Sequence, residues 1–251
     1  MRYFNIPDSS LDSTRQMFRD LENDIRDTKI DLGIGIYRDE KGEAPVFKAV
    51  KKAESILYQN EKSKSYKTPA GNSEYCKNIL DLVLGKTILN ERKHKVGAIQ
   101  IPGAGSGLRI AGELIKNNLQ NNLISIPNPT WGQQPFMFEK AGLKISKYTY
   151  YNQQNNFLDF NHMIDDLNKL KSGDSLLLHG CCHNPTGADL SLDQWEQVAN
   201  ICLKKGILPF IDLVYQGLGK GIIDDVLGIR KLVQIVPEIV ITVSSSKTFG
   251  V

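Results

Sequence analysis

From about residue 96 onward, short β-rich runs alternate with helical patterns, and this alternation constrains the fold more than any other feature of the chain. It is the sequence form of an α/β domain, a mostly parallel sheet covered by helices on both faces. Strand candidates are 96–101, 122–126, 144–149, 175–179, 207–212 and 239–243. Helical stretches lie between them, among them Leu108 to Leu119 and Leu192 to Lys205. The second opens on Ser191-Leu192-Asp193-Gln194 in capping-box spacing, closes at Gly206, and repeats apolar Trp195, Val198, Ala199 and Cys202 on one face. The first 95 residues read differently, with helical patterns near 13–24, 46–59 and 73–91 around the short segment Asp31 to Tyr37. We therefore expect an N-terminal arm or small-domain segment over 1–45 and one large domain over 46–251, with a polar loop from Glu61 to Pro69.

With 251 residues, 41% of them hydrophobic, the chain can bury a sizeable core. Thirty-one basic against 28 acidic residues leave a net charge of +3, and the charges are scattered, which argues against nucleic acid as the main partner. Cys76, Cys181, Cys182 and Cys202 show no C-x-x-C spacing and read as reduced thiols. Cys181-Cys182-His183 lacks a second ligand pair for a metal, and core packing explains at least one of these sulfurs better. Met1 to Asp8 lacks the apolar region of a signal peptide, and nowhere do 18 apolar residues run together. The expectation is a soluble, cytoplasmic protein with no membrane contact. Asn128-Pro129-Thr130 and Asn184-Pro185-Thr186 resemble glycosylation acceptors, but the central proline excludes both.

In open α/β sheets, ligands gather at the carboxyl ends of the strands, where loops and helix N-termini face a common crevice. Five unusual segments fall at those ends: Gly103 to Gly107, Pro127 to Trp131, His179 to Gly187, Asp212 to Gly217, and Ser244 to Lys247. The glycine segment offers backbone N–H groups at a helix start and reads either as a phosphate cup or as a plain turn. It fails the dinucleotide fingerprint, because Leu108 stands where the third glycine belongs and no acid follows the second strand. Gly85-Lys86-Thr87 fails as a phosphate loop, since Leu80 occupies the leading glycine position inside a helical pattern. Asp212 leaves an apolar strand, Ile207 to Ile211, where a carboxylate needs a cationic partner; alone it would read as a helix cap or a salt bridge. Lys247 leaves another, Ile239 to Val243, where a desolvated amine is a usable nucleophile; alone it would read as a surface lysine.

The string His179-Gly180-Cys181-Cys182-His183-Asn184-Pro185-Thr186-Gly187, followed by Asp212-Leu213-Val214-Tyr215-Gln216-Gly217, closely resembles fold-type I aminotransferases of the aspartate/aromatic amino-acid family. Asp31 to Glu40, Pro129-Thr130-Trp131 and Ser244 to Gly250 match in the same order, so the resemblance spans nearly the whole chain. It implies the large domain of a pyridoxal 5'-phosphate enzyme, and transamination between an aspartate or aromatic amino acid and a 2-oxo acid. Lys247 would carry the cofactor as a Schiff base and shuttle the substrate's α-proton. Asp212 would pair with the ring nitrogen, Asn184 and Tyr215 would hydrogen-bond the phenolate oxygen, and Trp131 would stack on the ring. Ser244 and the backbone of Ala104 and Gly105 would cup the phosphate, joined by Tyr66 from a second subunit, which makes the active form a homodimer. Gly35, with Trp131 and Asn184, would lie by the substrate, and His179 would support Asp212.

Departures accompany the match. Gly103 and Gly105 stand where family members usually carry hydroxyl side chains, and Gln134 stands where they carry histidine. The family's downstream phosphate-binding and carboxylate-binding arginines would lie beyond Val251, with no counterpart in this chain. A second expectation therefore stands beside transamination: an inactive or split-gene fragment with at most weak cofactor binding.

Overall fold

A computed structural model describes residues 13–30, 33, 35–66 and 68–251. Met1 to Asp8, Asp31, Leu32 and Ile34, which entered the sequence argument, lie outside the described residues. The chain divides into two compact units, Met1–Phe47 with Gly250, and Lys48–Phe249 with Val251. The first contains helix α1 (Ser13–Asn23) and a turn in which the Asp39 carboxylate accepts the backbone N–H groups of Lys41 and Glu43, both at 2.9 Å. Tyr37 and Phe47 meet edge to face, with ring centroids 5.5 Å apart.

The second unit contains α2 (Lys48–Asn60), α3 (Ser73–Arg92), α4 (Gly103–Asn118), β1 (Leu123–Asn128), α5 (Gln133–Lys140) and β2 (Lys144–Thr149). A short hairpin of β3 (Tyr151–Asn152) and β4 (Phe157–Leu158) leads to α6 (Phe160–Leu167) and β5 (Ser175–His179). Then come α7 (Leu192–Lys205), β6 (Leu208–Leu213), α8 (Leu227–Ile235), β7 (Val240–Val243) and α9 (Ser246–Phe249). Five strands form one parallel sheet in the order β2-β1-β5-β6-β7. Burial runs almost unbroken along β1, β5 and β6, as a sheet covered on both faces requires, and successive side chains point to opposite layers. Leu176, Leu178, Ile211 and Leu213 face one apolar cluster with α7 and α8, whereas Ile124, Ile126, Leu177 and Phe210 face another with α4 and α5.

Five of the six expected strands form within two residues of their expected bounds, and 96–101 does not. A strand exists only as a partner in a ladder, and this segment's backbone bond to the rest of the unit is that of Gln100 N–H to the Ala70 carbonyl, at 2.9 Å. Helix α3 also departs from an unbroken pattern, because Gly85 takes φ 76° and ψ 158°. The carbonyls this kink releases are met from α8 and the loop before it: Arg230 donates to Val83 O at 2.9 Å and Leu82 O at 3.2 Å, and the Gln216 amide to Leu82 O at 3.2 Å.

Helix α7 forms over the expected residues, with the Ser191–Gln194 capping box in place and Gly206 closing it in the left-handed region at φ 68°. It crosses α8 at Gly228, where an added Cβ would lie 2.2 Å from Trp195 Nε1. Gly228→Ala should therefore force the two helices apart and lower stability by about 1–3 kcal/mol, read as a drop in denaturation midpoint without a change in slope.

The strand order also locates the crevice. From β1 the chain steps outward to β2, then returns past β1 to β5 and continues to β6 and β7, so the direction reverses between β1 and β5. These two strands pair over only two residues, Ile124 with Ser175 and Ser125 with Leu176, whereas β1 and β2 pair over six. Such a reversal leaves an opening at the strands' carboxyl ends.

Candidate active site

Asp212 sits one residue before the end of β6 and is 6% exposed. Its Oδ2 accepts the Gln134 amide at 2.6 Å, and its Oδ1 lies 3.5 Å from the Thr242 hydroxyl on β7. Burial pushes the carboxyl up to about 6, against the pull of these two donors. No salt bridge reaches it among the described residues.

His179 ends β5 in register with Asp212. Its Nε2 lies 3.1 Å from Gln134 Oε1 and 3.4 Å from the Thr130 hydroxyl, and its Nδ1 accepts the backbone N–H of Asn184 at 3.1 Å. His183 stacks on it at 4.4 Å, and Tyr150 stacks on His183 at 3.9 Å. Burial drives His179 down to about 4 and His183 down to about 2, so both rings are neutral at physiological pH. The Asn184 amide lies 3.5 Å from the Tyr215 hydroxyl; burial raises the Tyr215 phenol, with Asn184 pulling the other way. The peptide bonds Asn128–Pro129 and Asn184–Pro185, which enter these loops, are both cis.

The glycine segment is the first turn of α4, and the helix starts there rather than near Leu108. Its leading N–H groups have no partners within the helix. Gly107 permits close approach to β7, since a Cβ there would lie 2.7 Å from Ile101 Cδ1 and 3.3 Å from Thr242 Cγ2. Ala104 and Gly105 are half-buried beside it, and Gly105 faces Met137. Ser244 is half-buried, and its hydroxyl accepts the Ser246 N–H at 3.3 Å. Lys247 is half-buried on α9, which is pinned to the segment after β6 by a 2.8 Å bond from the Thr248 hydroxyl to Gln216 O. Trp131 packs partly against the α4–α5 cluster.

The carboxyl ends of adjacent strands thus bring Trp131, Asn184, Asp212, Tyr215, Ser244 and Lys247 to one end of the sheet, with the start of α4 next to β7. Tyr66 is fully exposed, and Gly35 is exposed within the first unit. Sequence reasoning missed Thr242, which is one residue of an alternating strand and carries no motif. It noted Gln134 only as a departure, although the amide is completely buried and bonded to the central acid. Cys181, Cys182 and Asp225 bring ligand-type atoms within 4.8 Å of one another. There the Asp225 carboxylate already accepts backbone N–H groups from Gly217, Gly219, Lys220 and Gly221, and burial raises both thiols, so the cluster fits loop closure better than a metal.

Residues 27–251 match the model of the aminotransferase class I and II family, and the chain belongs to that family. It is 39% identical over 229 residues to the aspartate aminotransferase of Escherichia coli, and 41% identical over 227 to the tyrosine aminotransferase of Rhizobium meliloti. In both cases the match takes in 90% of this chain and 57% of the relative, so the chain spans less than three-fifths of their length. The aromatic-amino-acid aminotransferase of Burkholderia pseudomallei, described as covalently bound to pyridoxal phosphate, superposes with a TM-score of 0.95 at 29% identity, over all of this chain and 63% of that one. An aromatic amino acid aminotransferase solved with 3-indolebutyric acid gives 0.93 at 37% identity, over 98% and 62%. The fold is that of the fold-type I large domain. No helix among the described residues is long and apolar enough to cross a membrane.

Proposed function

We propose that this chain supplies the cofactor-holding part, residues 46–251, of a cytoplasmic aminotransferase acting between an aspartate or aromatic amino acid and a 2-oxo acid. The observation that carries the reading is the Asp212 carboxylate, buried with neutral donors only, at the same carboxyl end of the sheet as Lys247. A buried carboxylate of this kind is completed by a cationic N–H, which the pyridinium ring of pyridoxal 5'-phosphate presents. When bound, the cofactor supplies an electron-accepting ring for the electrons released as the substrate's α-C–H bond breaks.

The chain's own residues do the rest. Lys247 Nζ would hold the cofactor and would take and return the substrate's α-proton. Asp212 keeps the ring nitrogen protonated by accepting its hydrogen bond. Asn184 and Tyr215, already within reach of each other, donate to the ring's phenolate oxygen. Trp131 would cover the ring and exclude water from it. The Ala104 and Gly105 N–H groups with the Ser244 hydroxyl receive the phosphate, as a helix start favours an anion. Exposed Tyr66 would reach the phosphate of a second copy in a homodimer.

Titrating the purified chain with pyridoxal 5'-phosphate should produce a saturable visible absorbance band, which aspartate or an aromatic amino acid then bleaches. Absence of a saturable band would refute the reading. A second reading is a chain that holds the cofactor weakly without turnover. Formation of the band without bleaching by any amino acid would select it.

A further inference from the structure

We infer that Gln134 is a positioning residue that fixes the Asp212 carboxylate through a one-way chain of uncharged hydrogen bonds running from the Asn184 backbone through His179. The inference rests on the cofactor reading for its purpose but on this chain's geometry for its existence. A backbone N–H can only donate, so the Asn184 N–H bond of 3.1 Å makes His179 Nδ1 an acceptor. In a neutral imidazole the proton then sits on Nε2, and burial keeps the ring neutral. Nε2–H must find an acceptor, and Gln134 Oε1 is 3.1 Å away. With its oxygen committed to His179 and to the Thr130 hydroxyl, Gln134 can present only its NH₂ to Asp212, at 2.6 Å. Every link has one allowed direction, so the amide orientation follows from the network rather than from a choice between indistinguishable atoms.

The same network holds the imidazole in place. His183, itself 2% exposed and backed by Tyr150, stacks on the His179 face, so the ring cannot tilt away from Gln134. The groups around Asp212 are His179 on β5, Gln134 on α5, Thr242 on β7 and Tyr215 beyond β6. None is charged at neutral pH. A histidine at position 134 would add a titrating group to this set, whereas glutamine holds the acid with a donor that does not change with pH.

Two variants separate the links. Gln134→Glu keeps an acceptor for His179 and removes the donor to Asp212; Gln134→Met keeps the volume and removes both. In the cofactor-free full chain, carboxyl-carbon NMR, with Asp212→Asn to assign the signal, should show the Asp212 midpoint rising by about one pH unit, tenfold in proton affinity, in Gln134→Met and by more in Gln134→Glu, where a second carboxylate faces it. Nitrogen NMR should find His179 protonated on Nε2 in the parent and in Gln134→Glu, and should find that proton exchanging at least tenfold faster in Gln134→Met. Pyridoxal 5'-phosphate should bind each variant about tenfold more weakly than the parent. An unmoved Asp212 midpoint together with an unmoved His179 proton in Gln134→Met would leave packing as the residue's whole role and overturn the inference. Failure of the parent chain to bind the cofactor would sink the functional reading instead, and the two NMR measurements would still decide the relay.

Discussion

Lys247→Ala is expected to abolish covalent attachment of pyridoxal 5'-phosphate. Borohydride reduction of the parent chain with cofactor should fix one added pyridoxyl mass on the peptide containing Lys247, and the variant should show none above background labelling. The expectation follows from placement: α9 follows β7 directly, and β7 pairs in register with β6, the strand that carries Asp212. Turnover, where the parent supports it, should fall by at least 10³-fold, because in the proposed reading one amine is both the tether and the base at the α-carbon. Lys204→Ala, on the exposed face of α7, is the control that should leave labelling intact. Equal labelling of Lys247→Ala and the parent would move the tether to another lysine.

Asp212→Asn should separate stability from cofactor binding. In the folded chain burial raises this carboxyl from its ordinary 3.8 to about 6. An acid raised in this way binds its proton more tightly folded than unfolded. Its charge therefore costs nothing below pH 3.8, and the cost grows as pH climbs through 6, reaching about 3 kcal/mol at pH 8. Asparagine keeps an acceptor for Gln134 and carries no charge. The cofactor-free variant should then be more stable than the parent by about 1–3 kcal/mol at pH 8 and equal to it near pH 4, read from urea unfolding at both values. Pyridoxal 5'-phosphate should bind it at least tenfold more weakly, since the protonated ring nitrogen loses its counter-charge. A variant less stable than the parent at pH 8 would show that the carboxylate is not the burden its burial implies.

Much of this architecture is legible in the sequence, for local reasons. Helix α7 is announced by its capping box and by the spacing of Trp195, Val198, Ala199 and Cys202, all of which the fold buries. The strand-end positions of Asn184 and Asp212 follow from the apolar runs before them. The rest depends on distant partners. Residues 96–101 look like a strand in isolation, but no ladder receives them among the described residues. The β3–β4 hairpin and α5 are too short to register as periodic patterns. Gly103, Gly105 and Gly107 have the poorest intrinsic tendency toward helix of any residue but proline, yet packing of Gly105 on Met137 and of Gly107 on β7 puts them in its opening turn. Gln134 reads as an ordinary polar residue until the fold aligns it with His179 and Asp212.

The placement of β7 at the rim of the sheet, bonded on one side only among the described residues, divides the site into firm and yielding parts. Asp212 rides on a strand flanked on both sides, so exposing it to exchange requires opening the middle of the domain. Lys247 rides on a four-residue helix beyond that rim, where excursions cost far less. In the proposed role, the Lys247 amine could therefore swing aside while the Asp212 carboxylate stays still.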